Sequence, residues 1–212
     1  LSNQKPQITS YGMNKSVTSS PPASSNGPSH VGDQLLHLAR LVHGTAADPS
    51  LTPAQWTALR YFASANRFSR TPSAFSQFHA TTRGTASQTV KSLITLGLLE
   101  RHANKADARS TLIEVTPQGQ QKLARDPLAD LCRCIAALPD EQRTVFASTV
   151  TQISTALAQM RAAPTFGNCD DCGHCDALAS GGAYCRCTQT LLSEGDMGAL
   201  CIDFAANPGA NR

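Results

Sequence analysis

The stretch TTRGTASQTVKSLITLGLLERHANKADARSTLIEVT, residues 81–116, constrains the fold more than any other part of the chain. Within it Ala86, Val90, Leu93 and Ile94 recur at i, i+4, i+7 and i+8, the spacing of a helix with one apolar stripe. The other positions, Thr85, Ser87, Gln88, Lys91, Ser92 and Thr95, are polar, and none is acidic. Gly97 closes the helix, because glycine takes a left-handed cap at least cost. A strand over 98–102, a turn over 104–108 and a returning strand over 110–115 are predicted next. A helix that is amphipathic but acid-free, followed by a charged hairpin, must bury its stripe against neighbouring helices.

Those helices are readable on both sides. VGDQLLHLARLVHG, residues 31–44, predicts a helix starting near Asp33 and stopping at Gly44. In LTPAQWTALRYFASA, Thr52 is the expected N-cap and Pro53 the first helical residue. Trp56, Leu59, Tyr61, Phe62 and Ala65 supply its buried side. TPSAFSQFH repeats the Thr-Pro start at 71–72 and predicts a short helix, and a turn at 80–82 leads into a helix over 83–96. Thr116-Pro117 opens another. Two longer stretches, 118–137 and 140–162, read as helices broken at Leu138-Pro139-Asp140. In the second, Phe146, Val150, Ile153, Leu157 and Met160 recur at spacings of four and three, a stripe suited to a partner helix.

Charge is unevenly spread. Residues 51–125 hold ten Lys/Arg against three acids, whereas residues 126–212 hold five against ten. The middle of the chain suits a polyanion and the C-terminal part does not. Apolar residues make up 41% of the chain, yet no run reaches the ~18–20 residues of a membrane span, so no membrane partner is expected. The six histidines (30, 37, 43, 79, 102 and 174) are scattered without ligand spacing. No nucleophile–base–orienter set and no Gly-rich phosphate loop is present, so an enzyme is not expected. Residues 1–30, rich in Ser, Asn, Pro, Gly and Thr, predict a disordered tail.

Six of the eight cysteines fall between Cys169 and Cys201. With no apolar h-region read at its start, the sequence is expected to belong to a reducing cytoplasm, where clustered thiols more often bind metal than pair. The preferred ligand set is Cys169, Cys172, Cys185 and Cys201, a C-x2-C-x12-C-x15-C pattern, with Cys175 and Cys187 as substitutes and His174 a weaker candidate. An iron–sulfur cluster and a structural zinc both take four thiolates. The uneven spacings favour the cluster, zinc is the alternative, and metal-free thiol–disulfide chemistry is the third possibility. Cys132 and Cys134 read as small buried hydrophobes, too far apart on a helix for an easy disulfide.

Taken together, LTPAQWTALRYFA, TRGTASQTVKSLITLGLLER, KADARS and LIEVTPQGQQKL resemble the MarR family of winged-helix regulators over residues 31–162. The resemblance implies a mainly α fold with a small β-wing: a winged helix-turn-helix with dimerisation helices, here extended by a Cys-rich, metal-binding tail. It implies a homodimer on a pseudo-palindromic operator in double-stranded DNA, acting as a repressor. Thr82, Arg83, Thr85, Ser87, Gln88 and Lys91 match the family's DNA-facing positions, Arg109 its wing arginine and Asp107 the acid that orients that arginine. The expected divisions are a tail over 1–30, the reading domain over 31–125, dimer helices over 126–163 and the Cys-rich extension over 164–212. The cluster would act by biasing the spacing between the two reading lobes. No small-molecule effector is specified; His37, His43 and Trp56 are candidates to line a pocket, but core burial is the default.

Overall fold

A computed structural model describes residues 27–43, 49–103, 111–179 and 181–206. Residues 1–26 of the tail predicted over 1–30 and the hairpin tip over 104–110, with Asp107 and Arg109, lie outside the described residues, and the tail's last three residues, 28–30, are helical instead. The chain divides into two units, at residues 41 and 42. The first unit's described part is most of helix α1, Pro28–His43. It starts five residues ahead of Asp33, with the Val31 N–H bonding the Gly27 carbonyl at 3.1 Å, because proline is well suited to a first helical position. Taken by itself, α1 carries Val31, Leu35, Leu36 and Leu41 exposed.

The second unit begins with three helices, α2 (Pro53–Ser64), α3 (Pro72–Phe78) and α4 (Arg83–Thr95). An antiparallel hairpin follows, β1 (Leu99–Ala103) and β2 (Thr111–Val115), with Leu99 opposite Val115 and Arg101 opposite Ile113. Strand β1 starts one residue later than expected. Each helix start is fixed locally. The hydroxyls of Thr52, Thr71, Thr82 and Thr116 accept the N–H groups of Gln55, Ala74, Thr85 and Gly119. Gln55 returns the bond to the Thr52 N–H at 2.8 Å, completing a capping box. The core lies where α2, α3, α4 and the hairpin meet. Leu59, Tyr61, Phe62, Phe75, Ala86, Val90, Leu93, Leu99 and Ile113 are at most 1% exposed there. Tyr61 packs edge-on against Phe62 and tilted against Phe75 and Phe78, with ring centroids 4.9–5.4 Å apart.

The expected single helix over 118–137 is two helices, α5 (Pro117–Leu123) and α6 (Leu128–Ala136). Pro127 interrupts the hydrogen-bond ladder. Asp126 turns out of it to accept both Arg60 Nε and Nη2, at 2.6 and 2.5 Å, and the Leu128 N–H at 2.8 Å. Helix α7 spans Asp140–Met160. Neither α6 nor α7 buries a residue in this chain. Cys132 and Cys134 on α6 are therefore exposed, contrary to the expectation of burial.

The cysteine-rich extension is folded and returns to α2. A 3-10 turn at Cys169–Asp171 leads to a three-stranded antiparallel sheet, β3 (Cys175–Ala177), β4 (Ala183–Cys185) and β5 (Thr190–Leu192). Helix α8 (Glu194–Met197) follows. Leu200 then pairs in parallel with Ala65 at the end of α2, and Cys201 pairs with Gly167.

Candidate nucleic-acid interface and cysteine centre

Helix α4 presents one surface that the core leaves free. Ala86, Val90 and Leu93 turn inward, and Thr82, Arg83, Thr85, Ser87, Gln88 and Lys91 are exposed. No acid lies in its first turn, so the positive end of the helix dipole is unopposed there. Among the described residues neither Arg83 nor Lys91 pairs with a carboxylate. Two members of the polar set do other work. The Thr82 hydroxyl caps the helix, accepting the Thr85 N–H at 3.1 Å and lying 2.9 Å from the Thr85 hydroxyl. Ser92 accepts Gln55 Nε2 at 3.0 Å and donates to the Thr89 carbonyl at 2.8 Å, which ties α4 to α2. Gln55 is thus a positioning residue that sequence reading missed.

The root of the hairpin gathers acidic and basic side chains. Glu100 and Glu114 sit directly opposite one another across the strands, an unfavourable pairing for like charges. His102 Nε2 lies 3.3 Å from Glu100 and 3.6 Å from Glu114, and Arg70 approaches Glu114 at 3.9 Å. Among the described residues these are the one trio of His, Cys or acid ligand atoms within 4.8 Å of each other. All three side chains are close to half exposed.

The tail gathers its six thiols. Cys169, Cys172 and Cys201 are buried, Cys175 and Cys185 half-buried, and Cys187 exposed. Cys175 and Cys185 face each other across β3 and β4. Burial pushes the Cys169 thiol up to about 12, with Cys175, Cys201, Cys172 and Cys185 each adding to the rise. Burial also raises Cys175, helped by Cys172 and Cys185, and raises Cys187, helped by Asp203, Cys185 and Cys201. Cys169, Cys175 and Cys187 therefore each lie close enough to other thiols for their ionisation to be opposed. A bound cation would relieve that opposition and displace the thiol protons. Thiolates around a single zinc stand about 3.8 Å apart, the edge of a tetrahedron with ~2.3 Å bonds. Among the described residues no three cysteine sulfurs lie within 4.8 Å of one another. Six thiols in one segment are donor chemistry that fits a metal centre.

The extension is also joined to the reading unit. Arg67 donates to the Leu191 carbonyl at 2.8 Å and lies 3.4 Å from the buried carboxylate of Asp196. Phe68 packs against Cys169, Ala183 and Leu192. Burial raises Cys201, while the side chains of Asn66 and Ser69 and the backbone of Asp203 pull it back. Asn66, Arg67 and Ser69 carry no motif that marks them in the sequence, and their partners lie far along the chain.

Three helices and a hairpin in this order define a winged helix-turn-helix module. Residues 50–110, less than half of the chain, match the MarR family model. The fold is similar to that of MepR from S. aureus, solved as a DNA complex, at 16% identity and TM-score 0.52 over 63% of this chain and 99% of that one. It is also similar to the PcaV transcriptional regulator of Streptomyces coelicolor, solved with its natural ligand, at 20% identity and TM-score 0.50 over 63% and 95%. A MarR transcriptional regulator from Methanosarcina mazei Go1 matches at 15% identity and TM-score 0.51 over 62% and 96%. A comparison with curated proteins returns no match. Among the described residues no helix is long and apolar enough to cross a membrane.

Proposed function

We propose that the chain is a DNA-binding transcriptional regulator, a repressor that sits as a homodimer on a pseudo-palindromic operator. The observation that carries this reading is the exposed, acid-free face of α4 on a winged-helix base. Arg and Gln have the geometry to read guanine and adenine edges, and Ser, Thr and Lys to hold phosphates. In this reading Thr82, Arg83, Thr85, Ser87, Gln88 and Lys91 meet the major groove, while Arg109, oriented by Asp107, enters the minor groove. The match to the MarR family supports it. Homodimerisation is supported by the exposure of Phe146, Val150, Ile153, Leu157 and Met160 along α7, from 37% to 83%. Two reading heads then reach successive major grooves about one helical turn, ~34 Å, apart.

The cysteines form a sensing centre that holds an iron–sulfur cluster and answers to redox state or iron supply. The uneven cysteine spacing along the chain, C-x2-C-x12-C-x15-C, is the ground for a cluster over a single zinc ion. Such a cluster is lost on oxidation or iron shortage, and zinc has no redox chemistry of its own. Anaerobic purification, an absorbance spectrum, iron and sulfide analysis, and a gel shift on the DNA upstream of the chain's own gene test both halves. The reading expects visible absorbance with iron and sulfide, and a shift that differs between loaded and stripped protein. A colourless zinc protein contradicts the sensing half, and equal shifts do the same.

A further inference from the structure

The segment joining α2 to α3 is tied on both sides. Towards the cysteine centre, the Leu200 N–H bonds the Ser64 carbonyl at 2.8 Å, and the Asn66 N–H bonds the Leu200 carbonyl at 2.9 Å. The Ile202 N–H bonds Ser69 Oγ at 2.9 Å. These three bonds bracket Cys201. Inside the segment, Asn66 Oδ1 accepts the Phe68 and Ser69 N–H groups at 3.1 and 2.9 Å, and Tyr61 donates to the Ser69 carbonyl at 2.8 Å. Asn66 and Ser69 are at most 2% exposed. Towards the reading head, the Ile113 N–H of β2 bonds the Arg70 carbonyl at 2.8 Å, and Thr71 caps α3.

We propose that residues 65–70 relay the state of the cysteine centre to the wing within one subunit, with Ser69 as the positioning residue that couples the segment 200–202, which carries Cys201, to β2. The inference rests on the reading that these cysteines hold a cluster. A ligated Cys201 fixes the backbone of residues 200–202, and that backbone fixes Ser64, Asn66 and Ser69. Once Cys201 is released, the strand is held by these few hydrogen bonds and by Leu200 and Ile202 against the core. The hairpin then loses the firm edge that Arg70 offers it. Two states of one loop are biased by occupancy at the centre, and the route does not pass through the dimer helices.

Hydrogen exchange of the full-length chain, purified anaerobically and then stripped of iron, tests this. Wild-type protein and Ser69→Ala are compared, with absorbance measured before stripping. In the wild type, stripping should speed exchange in peptides covering 64–70 and 111–115 by about tenfold, as local opening becomes cheaper. Ser69→Ala should still load iron and sulfide and should exchange at the faster rate in both states. If stripping speeds exchange only in the extension and α7, the relay is wrong and the cluster reading survives. If the purified protein has neither iron nor colour, the cluster reading fails and takes the relay with it. The wild-type comparison decides without the variant, should Ser69→Ala fold poorly.

Discussion

Two glycines show how far a single residue's role depends on what surrounds it. Gly119 is buried on α5, and a Cβ there would collide with the Leu98 carbonyl oxygen and Val115 Cγ1. Gly84 sits in the exposed first turn of α4, where a Cβ would meet nothing nearer than Thr82 Oγ1 at 3.8 Å. Gly119→Ala should therefore lose about 1–3 kcal/mol through overpacking, and Gly84→Ala should gain about 0.4–1 kcal/mol. Chemical denaturation measures both, and equal signs would contradict the packing described for α5. At this scale the sequence was most readable where the partner is near. The Thr caps, Pro53, Pro72 and the left-handed Gly97 (φ +70°) all act within a few residues of themselves. The break inside the helix expected over 118–137 has a local mark in Pro127, whereas Arg60, the partner that holds Asp126 out of the ladder, lies 66 positions away.

Among the described elements, α7 carries a long apolar stripe that its own chain leaves uncovered. It has no buried residue, and Ile153 and Leu157 are 52% and 43% exposed. The spacing of that stripe was visible in the sequence; whether it faced a core or a partner was not, because periodicity reports a face and not what covers it. Cys132 and Cys134 illustrate the same gap, since small apolar-like residues were read as buried and are exposed on α6. With a homodimer built on these helices, Ile153→Glu places two charges in the interface. The variant should run as a monomer in light scattering at concentrations where the wild type is a dimer, and bind DNA at least about tenfold more weakly, because paired half-sites are lost. A variant that keeps the dimer mass removes α7 from the interface.

Across the whole molecule, the unexpected finding is where the extension goes. Its cysteine spacing was plain in the sequence; its return to the end of α2, through a bond from Ile202 to Ser69 spanning 133 positions and an Arg67–Asp196 pair, was not. No local pattern encodes contacts of that range. The reading head and the six-cysteine segment are thus neighbours in one subunit, which is the short path the proposed relay needs. All of this matters for function only if α4 and the wing sit on DNA. The direct measurement is fluorescence anisotropy of the upstream duplex against salt, with wild type and Arg83→Glu/Lys91→Glu, both kept anaerobic. The wild type should bind with a steep salt dependence, each phosphate contact adding about 0.9 to the log–log slope, and the double reversal should abolish binding while leaving the thermal midpoint and dimer mass unchanged. Unchanged affinity and slope in the double variant would contradict the account.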